Sequence, residues 1–127
     1  MIRKATEKDI KSIAKIYEDI HTEKEKGALC IGWQRGVYPT EQTAADSVAK
    51  GDMFVCERDG LVIGAAKINK DQVDVYAYGD WEFPADDEKV MVLHTLVVSP
   101  AVQTSGIVPC VFNGIDGVNL VLLEKKL

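Results

Sequence analysis

One histidine inside a long apolar run is the clearest candidate for proton-transfer chemistry in this sequence. His94 lies within Val90–Pro100, whose other residues are mostly valine and leucine. A histidine has an unperturbed pKa of about 6.5, so it can take up a proton near neutral pH. Every second residue of a strand shares one face, which predicts that the His94 ring enters an apolar layer. Its neighbours on that face are Val92, Leu96 and Val98. The alternative is a buried structural histidine satisfied by one hydrogen bond.

The segment around His94 is predicted to be a strand that ends in a turn and a short polar loop. Its nearly unbroken apolar residues indicate a central strand buried on both faces, and Pro100 ends the hydrogen-bonding ladder. The loop that follows, Gln103-Thr-Ser-Gly106, resembles the Gln/Arg-x-x-Gly-x-Gly/Ala cofactor loop of the GNAT N-acetyltransferase superfamily. The opening Ile2-Arg-Lys-Ala-Thr-Glu-Lys-Asp9 is also similar to the beginning of many GNAT proteins.

This resemblance implies acetyl-CoA as co-substrate and transfer of its acetyl group to a primary amine of a small molecule or peptide. In the GNAT family the fourth strand offers backbone groups to the pantetheine arm. N–H groups at the helix start after the loop hold the pyrophosphate, because the positive end of the helix dipole favours anions. The cofactor-binding residues that the resemblance implies are Leu96, Val97, Val98, Gln103, Thr104, Ser105, Gly106 and Ile107.

The sequence departs from the family pattern directly after this loop. Val108 stands in place of a small residue, and Pro109 would break a phosphate-binding helix. Residues 107–127 look like the last two strands of a GNAT domain, so a helix, a strand and a helix are predicted to be missing before them. The family's general-acid tyrosine would lie in that part, which leaves Tyr76 or Tyr78 as a substitute. A second hypothesis is therefore a non-catalytic GNAT-fold ligand-binding or interaction protein that has lost productive CoA binding.

Three aromatic residues are candidates for contact with the acceptor substrate. Trp33 and Tyr38 fall between the two predicted helices, in a segment that lines the acceptor pocket of GNAT proteins by resemblance. Trp81 lies in the long polar segment Asn69–Glu88 and is a candidate wall of the same pocket, as is Tyr76. The alternative is that these rings simply cover the sheet, since aromatic side chains carry large burial energies wherever they fall.

Charge and cysteine content restrict the partners and the compartment. Fifteen Lys+Arg against twenty Asp+Glu give a net charge of −5 with scattered basic residues, which argues against nucleic acid or a membrane as the main partner. Three widely spaced cysteines and two histidines form neither a disulfide framework nor a zinc motif.

No metal site is expected, and the acidic residues of Asn69–Glu88 indicate a solvated surface. With no apolar segment of membrane-spanning length, these features predict a cytoplasmic protein.

Chain length and hydrophobic periodicity predict one α/β (α+β) domain over residues 1–127. The resemblance to the GNAT family implies that its sheet is mixed and mostly antiparallel. Two N-terminal helices begin at the capping residues Thr6 and Thr40 and end at Gly27 and Gly51. The predicted strands are Ile2–Ala5, Met53–Glu57, Leu61–Ile68 and Val90–Pro100, followed by a C-terminal hairpin of Val108–Val111 and Val118–Glu124.

The predicted loss of a neighbouring strand would leave an apolar edge along residues 90–98. Native proteins cover such edges, because uncovered ones pair with other chains. Either the C-terminal hairpin folds onto this strand or a second protomer covers it. The sequence therefore predicts a homodimer that covers the edge of strand 90–98.

Overall fold

The computed structural model describes residues 1–29, 31–82, 86–102, 112–113 and 119–120. In chain order, one strand and two helices come before the other strands of an antiparallel sheet, as the sequence predicts for an α+β protein. The four-stranded sheet has the order β1-β2-β3-β4, and a separate two-stranded sheet pairs β5 with β6. The elements are β1 (Ile2–Lys4), α1 (Ile10–Glu25), α2 (Glu41–Ala49), β2 (Met53–Arg58), β3 (Leu61–Asn69), β4 (Val92–Val98), β5 (Phe112–Asn113) and β6 (Asn119–Leu120).

Both helices begin and end near the residues that the sequence indicates. The Asp9 carboxylate accepts hydrogen bonds from Thr6 N at 2.8 Å and Thr6 Oγ1 at 3.0 Å, and a single 3₁₀ turn then leads into α1. Thr40 precedes α2, and Gly27 and Gly51 follow the two helices with positive φ angles of 81° and 74°. The apolar faces of these helices are therefore fixed against one side of the sheet.

The core lies between the two helices and the centre of the sheet. Burying an aliphatic side chain completely stabilises a fold by about 1.5–3 kcal/mol, so these residues hold α1 and α2 against β2–β4. The core consists of Ile13, Ile16, Tyr17, Ile20, Ala44, Met53, Val55, Ala65 and Val97.

The hairpin between β2 and β3 confirms the prediction made from Arg58-Asp-Gly60. Arg58 pairs with Leu61, and the two residues between them, Asp59 and Gly60, have φ angles of 52° and 76°. Positive φ at both central residues is the geometry of a type I′ turn, whose twist matches that of the flanking strands. Each strand is one residue longer than predicted.

The fourth strand differs from its prediction in length and in burial. It runs over Val92–Val98 instead of Val90–Pro100, because Pro100 begins a 3₁₀ turn. Leu93 and Leu96 are 53% and 55% exposed, so the prediction of a strand buried on both faces is wrong. Within the described residues β4 is the outer strand of its sheet and pairs with β3 alone.

The C-terminal hairpin is described over four residues. Phe112 pairs with Leu120 and Asn113 with Asn119 in antiparallel register. The predicted hairpin ends its first strand at Val111, before Phe112 and Asn113, and that boundary is wrong because both residues pair with β6. The predicted strand Val108–Val111, the loop Gln103-Thr-Ser-Gly106 and the point of the predicted loss lie outside the described residues.

An ion-pair network fixes β1 to the start of α1 and to β2. The Arg3 guanidinium donates to both Asp9 carboxylate oxygens at 2.8 and 2.9 Å, and to Glu57 Oε2 at 2.6 Å. Asp9 is 6% exposed. Its hydrogen bonds with Arg3 hold the pKa of the Asp9 carboxyl well below its ordinary value of 3.8.

Replacing Asp9 with asparagine is expected to lower the free energy of unfolding at pH 7 by about 2 kcal/mol, because charge-assisted hydrogen bonds to a buried group are lost. A lowered native pKa contributes stability that is present above the unfolded-state pKa and is lost as the pH falls. The difference between wild type and Asp9→Asn should therefore shrink as the pH falls below about 4. Urea unfolding at several pH values measures it.

Asp19→Asn is the matched control for this prediction. Asp19 pairs with Lys15 one helical turn away on the exposed side of α1, with its side chain 38% exposed. Exposed pairs of this kind contribute about 0.3–0.5 kcal/mol. Equal effects of the two substitutions would contradict the assigned role of Asp9.

Candidate functional site

His94 is held by two hydrogen bonds at the edge where β3 ends. Its Nε2 atom lies 3.0 Å from Asn69 Oδ1 and 3.1 Å from the backbone carbonyl oxygen of Asp71. Both partners are acceptors, so Nε2 carries the hydrogen. In the neutral ring the lone pair is therefore on Nδ1, which is the atom that can take up a proton.

Asn69 is the centre of the polar cluster that orients this imidazole. Its side chain is buried, and Nδ2 donates to Asp52 Oδ2 at 2.9 Å and to Asp71 Oδ2 at 2.8 Å. Its Oδ1 also accepts from the Asp71 backbone N–H at 3.0 Å. The two carboxylates fix which end of the amide is the oxygen, and with it the tautomer of His94.

The environment of His94 favours the neutral ring at pH 7. Burial lowers the pKa of His94 from its ordinary value of 6.5, and the positive charge of Lys67 lowers it further. The hydrogen bond with the Asp71 carbonyl acts in the opposite direction but is smaller. Lys67 is the cross-strand partner of His94 on β3. The imidazole is thus a base that is unprotonated at neutral pH.

A bulge in β4 changes the face to which His94 points. Val97 pairs with Ala65 and His94 pairs with Lys67. Between these pairs β4 has two residues where β3 has one. Cross-strand partners share a face, which places His94 on the same face as Val97. The predicted grouping of His94 with Leu96 and Val98 on one face is therefore wrong, and Nε2 has two polar partners.

Thr95 occupies the bulge in a left-handed conformation with a φ angle of 49°. This conformation is an outlier for a β-branched residue and costs free energy that the surrounding structure must offset. The Thr95 side chain is buried, and its Oγ1 forms a hydrogen bond with the hydroxyl of Tyr38. The structure therefore brings one of the predicted substrate-binding aromatics against β4, at the residue that follows His94 in the chain.

The candidate aromatic residues form two pairs. Trp33 and Tyr38 meet edge to face, with ring centroids 6.0 Å apart and an interplanar angle of 78°. Tyr76 and Trp81 do the same at 6.4 Å and 90°, and Trp81 Nε1 donates to the Tyr76 carbonyl oxygen at 2.7 Å. The substrate-binding role of Trp33, Tyr38 and Trp81 and the catalytic role of Tyr76 stay predictions.

Of the cofactor-binding residues that the resemblance implies, the structure describes the three on β4. Leu96 is exposed, whereas the Val97 side chain belongs to the core, so Val97 offers only its backbone to a ligand. Among the described strands β4 lies on the outside of the sheet, and the contact of its backbone with a pantetheine arm stays a prediction. Gln103, Thr104, Ser105, Gly106 and Ile107 lie outside the described residues.

Comparisons with known proteins give matches to solved structures alone. No family model matches the sequence, and the search of curated proteins found no match. A putative acetyltransferase from Staphylococcus aureus is 26% identical, with a TM-score of 0.58 over 80% of this chain. A GNAT-family acetyltransferase from Streptococcus agalactiae is 22% identical, with a TM-score of 0.66 over 78% of this chain. The fold is that of the GNAT acetyltransferases.

This GNAT-like chain is short beside the proteins that it resembles. It spans 60% of the Staphylococcus aureus structure and 58% of the Streptococcus agalactiae structure. A ribosomal-protein-alanine N-acetyltransferase from Brucella melitensis is 18% identical, with a TM-score of 0.51, over 84% of this chain and 59% of its own length. The resemblance inferred from the sequence is confirmed at the level of the fold, whereas the predicted loss after the fourth strand stays a prediction.

The supporting residues of this GNAT-like site were not found from the sequence. Asn69 bonds to His94 directly, Asp52 acts through Asn69, and Lys67 acts through its charge. No local pattern distinguishes these three from other polar residues at strand ends. The described residues contain no cluster of three His, Cys, Asp or Glu side chains that could hold a metal ion. None of the helices in the described ranges is long and apolar enough to cross a membrane.

Proposed function

We propose that this chain is an acetyl-CoA-dependent GNAT N-acetyltransferase that acts on a primary amine of a small molecule or peptide. The observation that carries the proposal is the neutral imidazole of His94 on the fourth strand of a GNAT-like sheet. Asn69, at the end of the third strand, orients this ring. A cytoplasmic location belongs to the same proposal, in keeping with the widely spaced cysteines.

In the proposed reaction His94 is the general base. Acetyl-CoA, when bound, supplies the thioester whose carbonyl the amine attacks. Nδ1 of His94 takes the proton from the attacking amine, and the Asn69 and Asp71 oxygens that accept from Nε2–H stabilise the resulting imidazolium. Backbone N–H groups near Leu96–Val98 are placed to stabilise negative charge that develops on the carbonyl oxygen.

Two features support an amine as the acceptor. The Asp52 and Asp71 carboxylates lie around Asn69, beside the proposed base, and favour a cationic substrate before deprotonation. Tyr38 contacts β4 next to His94 and pairs with Trp33, which gives an aromatic wall near the reacting amine. A peptide amino terminus fits these requirements as well as a small amine, and the name of the Brucella melitensis neighbour is compatible with a peptide.

The second candidate function is a non-catalytic ligand-binding or interaction protein with this fold. It is favoured by Val108 and Pro109, since proline cannot occupy the interior of a phosphate-binding helix without breaking it. The chain also spans only about 60% of its structural neighbours. Such a protein would retain the aromatic pairs and the His94 cluster without binding CoA.

Calorimetric titration of the purified protein with acetyl-CoA and with CoA separates the two functions. The proposed enzyme should bind both with micromolar dissociation constants and should then acetylate amines in a coupled thiol-release assay. Absence of heat at millimolar CoA would refute the enzyme and leave the ligand-binding protein. Acetylated bovine serum albumin mixed with free CoA controls for nonspecific heat and thiol background.

We also propose that the protein is a homodimer that covers the edge of strand 90–98. Met91, Leu93 and Leu96 are each more than half exposed and together form an apolar surface on and beside β4. Unpaired strand edges with apolar side chains associate with other chains. A second protomer would remove this surface from water and continue the sheet.

The double substitution Leu93→Lys/Leu96→Lys is expected to convert the dimer into a monomer in sedimentation velocity, because charges at an apolar interface lose hydration without a partner. Leu61→Lys is the matched control, since Leu61 is 68% exposed and lies at the start of β3, outside the proposed interface. That control should remain dimeric. A monomeric wild type would refute the proposed interface.

A further inference from the structure

Two buried polar atoms on α1 have no hydrogen-bond partner among the residues that the structure describes. They are the Tyr17 hydroxyl oxygen and His21 Nδ1, and both side chains are 1% exposed. His21 Nε2 lies 2.9 Å from the Pro39 carbonyl oxygen and therefore carries the hydrogen. Tyr17 thus offers a hydroxyl donor and His21 offers an acceptor nitrogen.

Such atoms are seldom left without partners in native proteins. More than nine-tenths of buried polar groups are hydrogen-bonded to protein or to ordered water, since a buried unpaired group loses its bonds with water and regains none. Two exceptions on one helix point to a bound group. Residues four apart share one face of a helix, so Tyr17 and His21 both project into the same side of the core.

The surroundings connect this position to the candidate functional site. Burial raises the pKa of Tyr17 well above its ordinary value, and Tyr38 raises it further. The Tyr38 hydroxyl contacts Thr95 Oγ1 in the β4 bulge, and Pro39 contacts His21. Tyr38 is 38% exposed, so this series of contacts reaches from the buried atoms to a residue at the surface.

We propose that Tyr17 and His21 form a buried binding site for neutral hydroxyl-type groups, filled by trapped water or by a hydroxyl of the acceptor substrate. A hydroxyl can accept from Tyr17 and donate to His21 Nδ1, which is the pattern that the two atoms require. An ammonium or carboxylate would lose its hydration there without an opposite charge. The substrate source rests on the proposed acetyltransferase function, whereas the water source does not.

Thermal unfolding of Tyr17→Phe and His21→Gln tests whether the site is filled. Glutamine keeps a donor toward the Pro39 carbonyl while removing the Nδ1 acceptor. If the site is filled, each variant should unfold about 3 °C lower than wild type, because a hydrogen bond is lost. If Tyr17 is truly unpaired, Tyr17→Phe should unfold at the same temperature or higher, which would overturn the proposal. Tyr78→Phe is the matched control, since Tyr78 is 88% exposed.

A crystal structure identifies the partner directly. Density for a non-protein oxygen within about 3.2 Å of the Tyr17 hydroxyl supports the proposal, whereas a protein atom or no density at that position overturns it. Thermal shifts with ethanolamine and ethylamine then distinguish the two sources. Stabilisation by ethanolamine alone, lost in Tyr17→Phe, identifies a substrate hydroxyl, and oxygen density without such a shift identifies water. These readouts do not involve CoA. A negative calorimetric titration would therefore refute the acetyltransferase without deciding whether the Tyr17–His21 site is filled.

Discussion

Replacing His94 with alanine is expected to lower kcat for acetyl transfer by about 10²–10⁴-fold, because the proposed general base is removed while the acceptor pocket is kept. KM for the amine should change little. His94→Gln is the matched variant: its amide can still donate to Asn69 but cannot take up a proton. Equal losses in both variants would assign the effect to the base, and steady-state kinetics with a thiol-release readout measures them.

The pH dependence provides a second check of the same assignment. The base acts in its neutral form, and the pKa of His94 lies below the ordinary 6.5 through burial and Lys67. The log of kcat/KM should therefore be flat near pH 7 and fall on the acid side only below 6.5. Lys67→Met removes a positive charge, so it should raise the pKa of His94 and move the acid limb to higher pH.

An unchanged kcat in His94→Ala would contradict the proposed mechanism. The mechanism would also be contradicted if Lys67→Met raised the NMR pKa of His94 but left the acid-side fall of kcat/KM at the same pH. NMR titration of the imidazole in both proteins separates these cases, since it reports the pKa of His94 without catalysis. A limb that follows the NMR value in both proteins would support His94 as the titrating group.

Replacing Gly106 with glutamate is expected to weaken acetyl-CoA binding by at least about 100-fold. The resemblance implies that Gly106 would lie where the backbone approaches the pyrophosphate, and a side chain at that position would block the approach. The added carboxylate would also repel the phosphate charges. Calorimetric titration of wild type and variant with acetyl-CoA measures the change.

Gly32→Glu is the matched control for this substitution. It adds the same charge at an exposed glycine around which a Cβ would meet no atom within 4 Å. The control should bind acetyl-CoA as wild type does. Equal weakening in the two variants would assign the effect to net charge, and unchanged binding by Gly106→Glu would contradict a phosphate role for the loop.

Local sequence patterns predicted most of the fold in this protein. The Thr6 and Thr40 caps and the two helical apolar faces placed α1 and α2 within a few residues. Asp59-Gly60 placed the hairpin, since positive φ at two adjacent residues is a local property of the chain. The GNAT-like fold followed from the strand and loop around residues 90–106.

The surroundings of His94 could not be predicted in the same way. Strand parity predicts that its ring shares a face with Leu96 and Val98, but the bulge at Thr95 places it on the face of Val97. A bulge depends on the fit between two strands and leaves no pattern in either one. The partners Asn69 and Asp71 come from a strand end 25 and 23 residues earlier, so no spacing rule connects them to His94.

The two helices, the hairpin, the GNAT-like class and the histidine of interest are predictable from the sequence, because each depends on periodicity, capping or turn residues close together in the chain. The tautomer and lowered pKa of His94 and the contact of Tyr38 with Thr95 are visible only in the folded protein. So is the lack of a hydrogen-bond partner for two α1 atoms among the described residues. Those features depend on desolvation and on hydrogen bonds between distant segments, which exist only when the chain is folded.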